Sequence, residues 1–362
     1  MSDKVQVGVV GTSWWADMMY LPVFKSHSQT SISAICGRNR ARAEEMAAKY
    51  GIPQVFTDYR EMIEHGGLDA VVTAVPDDLH YPIAMAAMDA GLHVLGEKPM
   101  AHDLEQARKM LAKAEAARVK NMVLYTWRWA PYFRTLHHYV SQGYVGKIFD
   151  AHFSFVGDYA RSGQYGWRTD QEHGLGALGD FGSHMIDLAR LAVGEIARVQ
   201  ASLSVLVSKP HPEGKTYQAA NDSASLIVQF TSGATGTIFV SAAAELGNRG
   251  FDKRAILYGE AGTIEVSANM NRYSVKGIKN GETEFQELPI PAEFLGRTSR
   301  DAPLLEQIGI IFSEQPVGPR LFIDSILADR SVTPGFYEGM KNQEVIEAAF
   351  ESDRTGHWID VG

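Results

Sequence analysis

The first 125 residues alternate short apolar runs with amphipathic stretches, and this alternation restricts the fold more than any other feature of the chain. Val5-Gln6-Val7-Gly8-Val9-Val10 has the pattern of a buried parallel strand, and Gly11 ends it. A second strand is expected at 32–36. Asn39 can cap the helix that carries Ala43, Met46 and Ala47 and stops before Gly51. A helix over 59–65 closes at Gly66-Gly67, a strand over 69–75 closes at Pro76, and a helix over 83–90 is followed by Gly91. The run 92–96 leads into Glu97-Lys98-Pro99. Asp103 with Gln106 three residues later resembles a capping box, and Leu104, Ala107, Met110, Leu111 and Ala114 then form one stripe. A strand over 121–125 completes the series. Strand–helix alternation with short connections predicts an α/β domain with a parallel, doubly wound sheet over 1–125.

After residue 126 the pattern changes. A helix around 132–140 and a strand over 148–156 come first, and a helix follows Asp180 and ends near Gly194. Long β-type segments then dominate, at 198–207, 223–230, 235–242, 254–258, 263–266 and 272–276. Turn signals such as Thr231-Ser232-Gly233 and Lys279-Asn280-Gly281 separate them. An α+β domain over 126–362 with a large, mostly antiparallel open sheet is expected, with a closing helix at 341–352. The terminal segment, about 333–362, is expected to be able to pack back on the first domain.

Bulk properties remove several function classes. The chain has 362 residues, 45% hydrophobic and 21% charged, as in a soluble globular protein. No apolar run reaches the ~20 residues of a membrane helix, and the first residues show no secretory signal. Cys36 is the only cysteine, which fits a reducing, cytoplasmic setting. A net charge of −9 disfavours nucleic acid and anionic membrane as partners. The 12 histidines form no HExxH and no Cys/His cluster, so no metal is expected. There is no GxSxG elbow for hydrolase chemistry.

The first strand–helix turn, Gly11-Thr12-Ser13-Trp14-Trp15-Ala16, partly matches the dinucleotide fingerprint GxGxxG/A. Gly11 supplies the tight turn and Ala16 the close packing. Ser13 stands at the middle glycine, where it can still approach a pyrophosphate. At the end of the second strand an NAD enzyme places an acid for the ribose 2′-hydroxyl. Here the chain reads Cys36-Gly37-Arg38, and Arg38 can pair with a 2′-phosphate. NADP is therefore expected over NAD.

Two segments carry the chemistry. Glu97-Lys98-Pro99 puts a lysine at the carboxyl end of a strand, where open α/β sheets bind ligands. Asp180-Phe181-Gly182-Ser183-His184 puts a carboxylate and an imidazole one helical turn apart. His184 can take up a hydroxyl proton, Lys98 can bind the reacting oxygen, and Asp180 can orient either. A desolvated Lys98 could equally be the acid–base. Trp167-Arg168, just before this helix, are candidate substrate contacts. Asp187, one turn beyond His184, is expected to be structural.

Together these segments resemble the glucose–fructose oxidoreductase, inositol dehydrogenase and MocA family. The resemblance rests on Gly8-Val9-Val10-Gly11, Ala74-Val75-Pro76 with His80, Gly96-Glu97-Lys98-Pro99-Met100-Ala101, the stretch 174–187 and the ending 339–361. It implies a Rossmann domain followed by an α+β domain whose open sheet makes a homodimer or homotetramer. It also implies a nicotinamide cofactor and a sugar, inositol or related cyclic alcohol or ketone as substrate. By resemblance, cofactor contacts fall at Gly11, Thr12, Ser13, Trp14, Trp15, Gly37, Arg38, Ala74, Val75, Pro76, His80, Glu97, Lys98 and Arg128. Substrate contacts fall at Lys98, Trp167, Arg168, Asp180 and His184, and the Lys98-Pro99 bond is cis. Trp127 and Trp129 flank Arg128 where the family usually has a different neighbour. A dihydrodiol-type dehydrogenase and a non-catalytic sugar or nucleotide sensor on the same scaffold are the alternatives.

Overall fold

A computed structural model describes residues 4–362. The chain divides into two compact units. The first runs up to Tyr125 and takes in Ile308–Lys341, and the second comprises Thr126–Gln307 and Asn342–Gly362.

In the first unit, strands β1 (Val5–Val10), β2 (Thr30–Cys36), β3 (Gln54–Phe56), β4 (Ala70–Thr73), β5 (His93–Gly96) and β6 (Asn121–Val123) form one parallel sheet in the order β3-β2-β1-β4-β5-β6. This is the order of a doubly wound dinucleotide-binding sheet, reversing between β1 and β4. Helices α1 (Leu21–Ser26), α2 (Arg40–Tyr50), α3 (Tyr59–His65), α4 (His80–Asp89) and α5 (Leu104–Ala117) connect the strands. Their caps follow the sequence: Asn39 accepts from the Arg42 N–H at 3.1 Å, and Asp103 from the Gln106 N–H at 2.7 Å. Strand residues are buried on both faces, which explains why they read as continuous apolar runs. Val10, Val71, Val94, Met110 and Tyr125 share one core, and Phe336 joins it from more than two hundred residues away.

The contribution of Ile308–Lys341 is larger than the sequence suggests. The helix Gly318–Leu327, which the periodicity does not announce, packs against α1 and beside β1 and β5. His27 meets Asp324 at 3.2 Å in that contact. The last helix, Phe336–Thr355, starts earlier than expected, and its residues from Asn342 onward belong to the second unit.

The second unit is built on nine strands. They are β7 (Ile148–Gly157), β8 (Ile196–Ser204), β9 (Ser223–Phe230), β10 (Thr235–Ser241), β11 (Phe251–Gly259), β12 (Gly262–Asn269), β13 (Tyr273–Lys279), β14 (Gln286–Glu287) and β15 (Ile359–Asp360). Their order is β14-β13-β12-β11-β7-β10-β9-β8-β15. Neighbours are antiparallel except β7 and β10, which run parallel at the centre. Helices α6 (Pro131–Ser141) and α7 (Ser183–Val193) lie on one face, α7 against β7 and α6 against β12 and β13. Strand alternation sends Phe153, Phe155, Leu226, Val228, Ile238 and Val240 to that face, where they are buried. The opposite face carries Ile227, Phe239 and Tyr258, each 40–50% exposed.

Candidate active site

The nucleotide-binding end of the first unit is shaped by close backbone approach. Gly11 has φ +121°, and a Cβ there would run into the Ala74 carbonyl after β4. No other residue fits this crossing point of β1 and β4. A Cβ on Gly37 would sit 2.5 Å from the Thr12 methyl, so the end of β2 also lies flat against the loop. Ser13 Oγ accepts from the Ala16 N–H at 3.2 Å, capping the turn and leaving its proton to donate outward. Trp14 is 57% exposed beside the loop and meets Trp15 edge to face. Arg38 is exposed and pairs with no described acid, whereas Arg40 and Arg42 are held by Glu44 and Glu45. A cradle of this shape, with close backbone approach at Gly11 and Gly37 and one uncommitted guanidinium at the end of β2, fits a dinucleotide.

Glu97, Lys98 and His80 lie at the end of β5 and the start of α4. The Lys98-Pro99 bond is cis. Glu97 Oε1 accepts from Trp15 Nε1 and from the Tyr20 hydroxyl, both at 2.6 Å, and Oε2 accepts from the Lys98 N–H at 3.2 Å. This carboxylate ties the helix after the glycine loop to the Lys98 turn, and burial beside it pushes the Tyr20 hydroxyl far above its usual pKa. His80 is buried, with Nδ1 at 2.7 Å from the Pro99 carbonyl and Nε2 at 3.0 Å from that of Val75. Burial holds its pKa below the ordinary value, and a neutral ring can donate to one of the two carbonyls only. Glu97 and His80 are therefore struts that fix Lys98. Their polar atoms meet protein groups.

In the second unit the Asp180 segment is not a plain α-helix start. Leu178–Gly182 is a π-helical turn that runs directly into α7. Such turns widen the helix and recur at functional sites. Gly179 and Gly182 permit it here, because a Cβ on either would press on Leu175 or Leu178. Asp180 still sits one turn before His184. Its Oδ2 accepts from Arg168 Nε at 3.2 Å, and the Arg168 guanidinium lies 4.2 Å from the Trp167 ring centroid. Arg168 thus joins Trp167 and Asp180. His184 is 5% exposed and walled by Trp127 and Phe155, with ring centroids 6.2 and 6.3 Å away. Phe181 stacks on Phe155 at 4.1 Å and closes the same wall.

Arg128, expected among the cofactor contacts, donates through Nε and Nη2 to Asp187 Oδ2 and Oδ1 at 3.0 and 2.5 Å. Asp187 has no exposed surface, so a buried carboxylate on α7 claims this charge. The pair locks the turn after Tyr125 to the helix of His184, a bidentate arrangement only arginine provides.

Two groups escaped the sequence reading. Tyr165 donates to Asp170 Oδ2 at 2.6 Å, an interaction that with burial pushes its phenol up to about 12, and its ring meets His211 and Tyr217. No pattern signals this, because the residues come from irregular loops and the two ring neighbours lie far off in sequence. Lys253 is wholly buried among aromatic rings. Parity could have found it: in β11 it shares its face with Ala255 and Leu257, a core position.

Two models of one protein family match the chain. Residues 5–125 match the model "Oxidoreductase family, NAD-binding Rossmann fold", and residues 133–265 match the C-terminal domain model of the same family. The chain is similar to levoglucosan dehydrogenase of Pseudarthrobacter phenanthrenivorans, 26% identical over 90% of this chain and 88% of that one. It is also similar to an NADP(+)-dependent scyllo-inositol 2-dehydrogenase of Bacillus subtilis, 28% identical over 51% of each chain. The solved structure of a levoglucosan dehydrogenase with NADH and levoglucosan superposes with a TM-score of 0.87 over 99% of both chains, at 24% identity, which is a likeness of fold. With its glycine-loop sheet, its Glu97-Lys98-Pro99 turn and both domain matches in place, the chain belongs to the Gfo/Idh/MocA family of NAD(P)-binding oxidoreductases.

Proposed function

We propose that this protein is a dehydrogenase that moves a hydride between a nicotinamide dinucleotide and a CH–OH carbon of a sugar, inositol or related cyclic alcohol. The observation that carries the reading is the His184 turn: an imidazole buried against aromatic rings, one turn after a carboxylate held by Arg168. A family member with this turn and with Lys98 fixed by Glu97 has the groups that alcohol–ketone chemistry needs.

The dinucleotide, when bound, supplies the hydride donor or acceptor. The chain's own residues manage the rest. Lys98 binds the reacting oxygen and favours its alkoxide character. His184 takes the hydroxyl proton on oxidation and returns it on reduction. Asp180 orients the substrate hydroxyl or the imidazole, and Arg168 with Trp167 borders the place where a ring substrate stacks and donates hydrogen bonds.

NADP is the preferred dinucleotide, because Arg38 is exposed and uncommitted at the end of β2 where NAD enzymes carry an acid. A homo-oligomer, dimer or tetramer, covers the sheet face that bears Ile227, Phe239 and Tyr258. The deciding assay follows nicotinamide absorbance over a panel of anhydrosugars, aldoses, ketoses and inositols with both dinucleotides. Turnover of a cyclic alcohol is expected. Sugar binding without turnover of any alcohol or ketone would replace the enzyme by a sensor.

A further inference from the structure

The helix-covered face of β11 presents Phe251, Lys253, Ala255 and Leu257. Lys253 has no exposed surface, and its Nζ makes no hydrogen bond among the described residues. Three rings form a cup around it. Nζ lies 2.8 Å from the Trp127 ring centroid, 3.6 Å from that of Phe251 and 4.9 Å from that of Phe155. The rings meet one another edge to face, with centroids 5.3, 5.8 and 6.1 Å apart. An amine in such a place is costly, and a methionine or leucine would fill the space without that cost. Packing alone therefore does not account for a lysine here.

Two rings of the cup are also the wall of His184. The amine lies 2.8 Å from the Trp127 centroid and that centroid 6.2 Å from the imidazole's, so the two basic groups are at most ~9 Å apart. At the effective dielectric of a protein interior, two like charges at that separation shift each other's titration by roughly one pH unit.

We propose that Lys253 is a positioning residue for His184: through the Trp127–Phe155 wall it shares with the imidazole, it holds the ring in place, and its charge opposes protonation of His184. The proposal rests on the reading of His184 as proton carrier. Burial holds the amine well below the usual lysine range. Tyr132 on α6 and Tyr273 on β13 are kept protonated by burial. On the helix side Asp187 is matched by Arg128 and Asp180 by Arg168. β7 and β12 present Phe155 and Ala268 opposite Lys253, and Asp252 and Arg254 pair with each other on the far side of the sheet. His184 and Lys253 are then two basic sites close enough for their titrations to couple.

The test is an NMR titration of the full chain, following the His184 ring, identified by its loss in His184→Ala, and the Cε resonance of Lys253. In the native protein the two should titrate in coupled steps. Lys253→Met should raise the His184 pKa by about one unit, move the acidic limb of kcat in the same direction, and leave KM nearly unchanged. Trp127→Phe keeps the amine but loosens the wall, and should broaden the His184 signals without that rise. A Lys253 that titrates in the native protein like a surface lysine would overturn the proposal, and that reading requires no variant to fold. So would a His184 titration that Lys253→Met leaves in place. The titrations need no substrate, so retained turnover in His184→Ala would remove the proton-carrier reading and leave the coupling to be judged separately.

Discussion

At the scale of residues, the polar atoms of Glu97, His80 and the Arg128–Asp187 pair are claimed by neighbours. Arg38 is the exception at the nucleotide end, exposed and uncommitted. Arg38→Ala should weaken NADP binding roughly ten- to hundredfold and leave NAD binding little changed, the scale of one charge-assisted contact. Titration calorimetry with both dinucleotides checks this, and equal weakening of both would speak against a 2′-phosphate contact. Lys253 makes a separate prediction about stability. Its folded pKa lies below its unfolded value, so between the two the unfolded chain binds the extra proton. The penalty vanishes above the unfolded lysine pKa, about 10.4, grows as pH falls, and is complete below the folded pKa. Lys253→Met should therefore melt higher than the native protein at neutral pH, by a margin that shrinks toward pH ~10. A margin constant across that range in pH-dependent melting would show that the amine is not desolvated.

At the scale of elements, the alternation of the first third was legible because its strands are buried on both faces and its helices carry ordinary caps. The strands at 223–230 and 235–242 were legible for the opposite reason, since one face is buried and the other open, as Val228 against Ile227 shows. β3 was missed: its three residues are only half-buried and carry no pattern. The helix Gly318–Leu327 was missed as well, because its place depends on α1 and His27 some three hundred residues earlier. The π-helical turn at Leu178–Gly182 could not be read from spacing, because a four-residue interval looks alike in both helix types. For the candidate site, the sequence supplied Lys98, Asp180 and His184 by position on their elements, but not that Glu97 and His80 face inward or that Arg128 serves α7. Those depend on which buried partner each polar atom finds. The Arg128–Asp187 pair gives a prediction at this scale. Arg128→Met leaves a buried carboxylate unmatched on α7 and should cost about 3–5 kcal/mol of stability. Chemical denaturation checks it, and a loss under about 1 kcal/mol would mean the carboxylate finds another partner or takes up a proton.

At the scale of the whole molecule, the parts have different duties. The parallel sheet offers a dinucleotide cradle at its β1/β4 crossing, and the helix-covered face of the nine-stranded sheet carries the His184 turn and its aromatic wall. The open face, with Ile227, Phe239 and Tyr258, should be covered by a second copy of the chain, so sedimentation at micromolar concentration should give a multiple of 39.8 kDa. A monomer mass would leave that face without an explanation. The central claim is that Lys98 and His184 handle the oxygen and its proton while other residues supply most of the dinucleotide's binding. The most direct measurement is kcat of Lys98→Ala, His184→Ala and the double variant on a verified cyclic alcohol, with dinucleotide affinity measured beside it. Each single variant should lose ~10²-fold or more in kcat with dinucleotide binding nearly intact, and the double variant should fall far less than the product of the two. Near-native turnover in both single variants would contradict the account.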